Sequence, residues 1–209
     1  MNGARFARLE RLLHPSAWRF LFLTATDPAL DRLYAVLRYE KRADLARHPF
    51  PRFTVPAVEY LEQHLHGGSR VLEWGAGFST VWFKTRGCIT NTVEHDAGWH
   101  ASVQDHVEPP SWIELRPLGP GYAAPVESIR DYDAIVIDGR MRAECARFVA
   151  GQIRRGLHKP GAMVVFDDTN RPKYRDAVRE LRHLSADQDT FAGTSTTVLD
   201  KLTTIFSFP

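Results

Sequence analysis

From residue 70 onward, short apolar segments rich in β-branched residues alternate with longer ones whose apolar positions recur every three or four residues. The strand-like segments are 71–74, 89–94, 112–118, 134–138 and 162–166. Ala134-Ile135-Val136-Ile137 has no polar position on either face, as expected of a strand covered on both sides. The segments 78–86, 97–107, 143–157 and 174–184 carry helical spacing and suit crossover helices. This alternation predicts a parallel sheet with helices on both faces. The tail departs from it. Segments 196–199 and 203–208 flank Asp200-Lys201 and predict a hairpin. The expected fold is α/β: a doubly wound, seven-stranded, mostly parallel sheet with a terminal antiparallel strand.

Upstream the pattern is helical. Phe6, Leu9, Leu12 and Leu13 form one stripe, which Pro15 ends. Asp27-Pro28 reads as a cap and first helical position, followed by Leu30, Leu33, Tyr34 and Leu37. Pro49, Pro51 and Pro56 punctuate a link. Thr54 then opens a helix to about residue 66, with Val58, Leu61 and Leu65 inward and Gly67-Gly68 closing it. Two units are expected: an N-terminal helical cap or arm over 1–53 and the α/β domain over 54–209.

Composition narrows the class. Hydrophobic residues make up 44% and charged residues 25%, ordinary for a globular chain. The apolar run at 20–23 is far too short for a bilayer, and no secretory layout precedes it, so no membrane association is expected. Two cysteines, Cys88 and Cys145, give no disulfide framework, and a cytoplasmic location is expected. Net charge is +2, yet the first fifty residues hold nine Arg and Lys against five acids. A basic arm can favour an anionic acceptor or a nucleic acid. A solvated helix face explains the charge more simply, and nucleic acid is not expected as a partner.

The chemistry concentrates at strand ends. Val71-Leu72-Glu73-Trp74-Gly75-Ala76-Gly77-Phe78-Ser79-Thr80 is a strand running into a Gly-x-Gly turn and a helix. Gly75 and Gly77 remove Cβ atoms where a ligand must touch the backbone. The first such turn of an open α/β sheet lies at the switch point where ligands bind. Glu94 ends the second strand about 20 residues on, where an acid can accept hydrogen bonds from ribose hydroxyls. A nicotinamide fingerprint would place a third glycine where Thr80 stands. Glu73 beside the turn suits a cationic ligand better than a pyrophosphate.

The glycine segment resembles motif I of class I S-adenosylmethionine-dependent methyltransferases. Asn91-Thr92-Val93-Glu94-His95-Asp96 is similar to their motif II. Residues 132–140 resemble their fourth strand, and 161–168, after the Lys159-Pro160-Gly161 turn, their fifth. The resemblance covers roughly residues 55–209 and implies a Rossmann-like methyltransferase fold that binds S-adenosylmethionine. It implies cofactor-binding roles for Glu73, Trp74, Gly75, Ala76, Gly77, Ser79, Thr80, Glu94, His95 and Asp138. Relatives often place an Asp near the end of strand three against the adenine. Here Glu114-Leu115-Arg116-Pro117-Leu118-Gly119 holds none.

Asp138, Asp167 and Asp168 each end a predicted strand, and those strands should be neighbours about 4.8 Å apart. Three converging carboxylates repel unless a cation intervenes, and oxygen ligands suit Mg²⁺. The set resembles that of cation-dependent O-methyltransferases, with Asn170 a further ligand candidate. Asp168 could instead cap the helix after Pro172. Arg140, Arg142 and Cys145 follow the fourth strand, and Arg140 could meet an anionic acceptor or form a surface ion pair. Cys145 reads as core. His95 and His100 are candidate bases or structural histidines, and Trp74 and Trp99 are adenine neighbours or core. The expected activity is methyl transfer to a small-molecule acceptor, at oxygen, with Asp138 and Asp167 catalytic and Mg²⁺ assisting. Alternatives are a nicotinamide-dependent oxidoreductase and a non-catalytic module using the basic arm. The N-terminal helices could cap the site, form a homodimer contact, or both.

Overall fold

A computed structural model of the protein describes Leu45, residues 49–193 and residues 201–209. The helices expected within residues 1–44 and the strand expected at 196–199 lie outside the described residues. The described elements are, in chain order, α1 (Val55–His64), β1 (Arg70–Trp74), α2 (Phe78–Thr85), β2 (Ile89–Glu94), α3 (Ala97–Gln104), β3 (Trp112–Leu115) and α4 (Pro120–Ala123). β4 (Ala134–Ile137), α5 (Arg142–Arg154), β5 (Met163–Asp167), a 3₁₀ turn (Pro172–Tyr174), α6 (Arg175–Leu184), β6 (Asp187–Gly193) and β7 (Lys201–Ser207) follow.

They form one seven-stranded sheet in the order β3-β2-β1-β4-β5-β7-β6. The first five strands are parallel, and β7 is antiparallel to both β5 and β6. The expected hairpin exists, but with different arms. Its first strand is Asp187–Gly193, and Lys201, expected in the turn, belongs to β7.

Period-two alternation sorts the parallel strands onto two cores. Leu72, Trp74, Ile135, Ile137, Val164 and Phe166 face α5 and α6, against Val149, Ile153 and Leu181. Their neighbours Val71, Ala134, Val136, Met163 and Val165 face the other way, against Ala57 and Leu61 of α1 and Trp82 and Phe83 of α2. Each fully buried large aliphatic contributes about 1.5–3 kcal/mol, so a register slip of one residue would exchange the two cores and is excluded. Thr54 stands at the start of α1 as expected. Its hydroxyl does not cap the helix. Instead it donates to the Phe191 carbonyl at 3.3 Å, and its N–H donates to Thr203 Oγ1 at 3.1 Å, tying α1 to the hairpin.

The chain leaves β1 toward β2 and β3, then crosses back to β4 on its other side. That reversal puts the switch point between β1 and β4. The carboxyl ends of β1, β2, β4 and β5 therefore share one rim.

Candidate active site

Gly75 follows β1 with φ +92°, in the left-handed region that favours glycine. A Cβ there would lie 2.6 Å from the Cα of Gly139, which follows β4 at Asp138. A Cβ on Gly139 would in turn come within 2.8 Å of the Gly75 nitrogen and 2.2 Å of the Tyr122 hydroxyl. The two glycines let the β1 and β4 loops touch backbone to backbone.

A buried carboxylate lies beneath the loop. Glu73 is fully buried. It accepts hydrogen bonds from Ser79 Oγ (2.5 Å), Thr80 Oγ1 (2.6 Å) and Thr92 Oγ1 (3.1 Å). Thr80 Oγ1 also accepts the Gly77 N–H at 2.9 Å, so one side chain links the loop to the acid. Burial pushes the Glu73 carboxyl from 4.5 up to about 7. The three hydroxyls oppose that rise, and the charge of Glu94 adds to it.

Glu94 closes the loop from the β2 side. Its Oε2 accepts the Ala76 N–H at 2.9 Å, and its Oε1 accepts the His95 and Asp96 N–H groups at 2.7 and 2.8 Å. Asp96 caps α3 by accepting the Trp99 N–H at 2.7 Å. The Trp99 indole N–H donates to the Ala76 carbonyl, and its ring lies where a Cβ on Gly77 would make ordinary contact, at 3.6 Å.

The three acids of β4 and β5 do converge, and Arg142 fills the space between them. Its guanidinium donates to Asp138 Oδ1 (2.7 Å), to Asp168 Oδ2 (2.9 Å) and to the carbonyls of Asp138, Asp167 and Gly139 (2.8, 2.7 and 3.0 Å). Lys201 Nζ lies 2.5 Å from Asp167 Oδ2 and donates to the Arg52 carbonyl at 2.7 Å. Thr203 Oγ1 donates to Asp167 Oδ1 at 2.8 Å, and Arg171 pairs with Asp168 at 2.7 Å. Burial pushes the Asp167 carboxyl upward, the Asp138 charge adds to this, and Lys201 and Arg142 oppose it. Asp168 itself has φ +60°, which an aspartate tolerates better than most residues. Of the three acids only Asp138 retains appreciable side-chain exposure, 19% against 0% and 7%.

No protein-family model and no curated protein match the chain. Solved structures do. Cofactor-bound Rv0187 from MTB matches with a TM-score of 0.53 at 20% identity, over 91% of this chain and 94% of that one. The O-methyltransferase TomG from Streptomyces achromogenes, solved in complex with SAM, matches at 0.54 and 17% identity, over 91% and 96%. A methyltransferase from Pyrococcus furiosus matches at 0.52 and 18% identity, over 87% and 98%. The chain has the class I methyltransferase fold.

On this methyltransferase fold several expectations change. The side chains of Glu73, Ser79 and Thr80, expected at the cofactor, are buried and turned onto one another beneath the loop. The Trp74 ring lies in the core, with its N–H donated to the Tyr122 carbonyl at 2.8 Å. Gly75 makes room for Gly139. Glu94, His95, Ala76, Gly77 and Asp138 lie together at the rim. His100 reaches the Ile113 carbonyl at 3.3 Å, the structural alternative, and Cys145 is core as expected. Arg140 donates its N–H to the Tyr122 hydroxyl at 3.2 Å.

The Mg²⁺ expectation is corrected. An ion bridging the three acids would occupy the place of the Arg142 guanidinium, with a lysine ammonium alongside. Among the described residues, no group of three or more metal-binding side chains fits a metal ion. Three carboxylates already face three cations, Arg142, Lys201 and Arg171. Sequence reasoning missed Lys201 as a site residue, because an apolar tail gave no sign that its lysine turned inward. Arg142 was visible only as one of two arginines after β4. Tyr122 gave no signal.

Glu94 Oε2 accepts one N–H and keeps an acceptor position for a hydroxyl. No phosphate-binding run of free loop N–H groups exists here, since those of Gly75, Ala76 and Gly77 are donated to Val93, Glu94 and Thr80.

Proposed function

We propose that the chain transfers the methyl group of S-adenosylmethionine to an oxygen of a small-molecule acceptor. The observation that carries this is the glycine turn after β1, tied through Ala76 to the strand-end carboxylate of Glu94 at the switch point. When bound, S-adenosylmethionine supplies an electrophilic methyl on a positively charged sulfur. Glu94 would hold the ribose hydroxyls through its remaining acceptor position. His95 and Asp96, whose N–H groups fix its other oxygen, keep it in that orientation. Asp138, the least buried member of its cluster, would take the proton of the acceptor hydroxyl. Arg142 grips both its carboxylate and its carbonyl and so holds it in place. The oxygen assignment rests on Asp138 as the base for an acceptor hydroxyl. With Arg142 and Lys201 in the cluster, catalysis relies on alignment of acceptor and methyl.

Calorimetric titration tests the reading. S-adenosylhomocysteine should bind and NAD⁺ should not; tighter binding of NAD⁺ sinks it. Glu94→Gln should weaken S-adenosylhomocysteine by about 1.5–3 kcal/mol, the range for hydrogen bonds to a charged group. Asp138→Asn should keep that affinity and lose turnover.

A further inference from the structure

Beyond the cluster, the rim continues into a groove of about 200 Å³ lined by Thr169, Asn170, Arg171, Arg175, Arg179 and Arg182. A water molecule takes about 30 Å³ of liquid, so a tetrahedral oxyanion fits with room for its attachment. The arginines recur at spacings of four, four and three, which puts them on one face of α6 and the turn before it. Like charges at such spacing destabilise a helix. Local acids relieve them only in part. Arg171 shares Asp168 with Arg142. Arg179 meets Asp176 only at 3.4 Å, with both side chains well exposed, at 60% and 91%. Arg182 donates to the neutral amide of Gln188 at 2.8 Å. Arg175 makes no side-chain hydrogen bond or ion pair among the described residues. Glu180, the other acid of α6, is turned to Arg154 of α5.

The groove thus presents two guanidinium groups without a carboxylate partner, those of Arg175 and Arg182, in a concavity, and Arg171 joins it directly to Asp168 at the rim. Guanidinium forks match phosphate oxygens two at a time. We propose that this groove binds the phosphate group of a small phosphorylated acceptor and so holds its reacting oxygen toward Asp138. The role of the phosphate-bearing molecule as acceptor rests on the methyl-transfer reading; the anion site does not.

The test uses the whole chain, with pyrophosphate and inorganic phosphate as probes at matched ionic strength. Sodium chloride is the control, and the variant is the double substitution Arg175→Gln with Arg179→Gln. Both residues are exposed and lie outside the carboxylate cluster, and circular dichroism checks the variant's fold. Pyrophosphate should raise the wild-type melting temperature and bind at least tenfold more weakly to the variant. S-adenosylhomocysteine affinity should be the same in both. Pyrophosphate that binds no better than chloride, or binds both proteins equally, overturns the site. So does binding of single-stranded RNA or anionic phospholipid vesicles in place of pyrophosphate. Arginine-dependent pyrophosphate binding without S-adenosylhomocysteine binding keeps the anion site and removes the methyl-transfer reading. The converse result does the opposite.

Discussion

Replacing Glu73 with Gln should make the protein's stability less sensitive to pH. In the native state burial raises this carboxyl from 4.5 to about 7. Between those values the folded chain holds a proton that the unfolded chain has released. Stability therefore falls as pH rises through that window and levels off above about pH 7. At about 1.4 kcal/mol per unit, the shift amounts to about 3 kcal/mol lost by pH 8. Gln imitates the protonated acid in shape. Its amide can both donate to and accept from the hydroxyls of Ser79, Thr80 and Thr92, which rotate to suit. The variant should match wild type near pH 5 and exceed it by about 3 kcal/mol at pH 8. Urea unfolding midpoints at pH 5, 6, 7 and 8 measure the difference. Other titrating groups, Asp167 among them, cancel in the comparison. Parallel profiles would refute the reasoning. So would a Gln variant weaker by one constant amount, since Glu73 would then be charged in the fold at pH 5.

Three further outcomes are expected. Arg142→Met leaves three carboxylates facing one another with one cation fewer and should cost about 3–5 kcal/mol, as for a broken buried ion pair; Lys at this position should not restore it, because one ammonium cannot span the fork, and urea unfolding measures both. Gly75→Ala should lower the melting temperature, with about 1–3 kcal/mol from the positive φ alone and more from the overlap with Gly139; an unchanged melting temperature would refute the packing role. EDTA and added Mg²⁺ should leave both melting temperature and S-adenosylhomocysteine affinity unchanged, and a rise with Mg²⁺ would reopen the metal site.

The interior strands were legible because both their faces are apolar and periodicity alone marks them. β6 was not legible: Asp187, Gln188, Asp189 and Thr190 offer no apolar face, and this edge strand owes its place to pairing with β7. Of the site, the strand-end acids and the glycine turn were visible, because their positions follow from where strands stop. Which way each side chain turns was not visible. Glu73 reads as a rim acid until Thr92, nineteen residues on, is brought beside it. The acids of β4 and β5 read as a metal site until Lys201, far along the chain, supplies its ammonium. Sequence spacing gives proximity along one strand; the partner that neutralises a buried charge comes from another.

The place of β7 bears on how the molecule is made. β6 is synthesised before β7, yet β7 stands between it and the rest of the sheet. While the chain emerges, β6 has no strand beside it, the open side of β5 has no partner, and Asp167 and Asp168 lack Lys201. β7 completes the ladder, the hairpin and the charge balance of the rim at a single step. A nascent chain short of residue 201 can build the parallel half and its helices, but it carries an unpaired strand edge and an excess of negative charge where the site will be. Edges of that kind invite pairing with another chain. Assembly of the site is thereby tied to the insertion of β7 between β5 and β6.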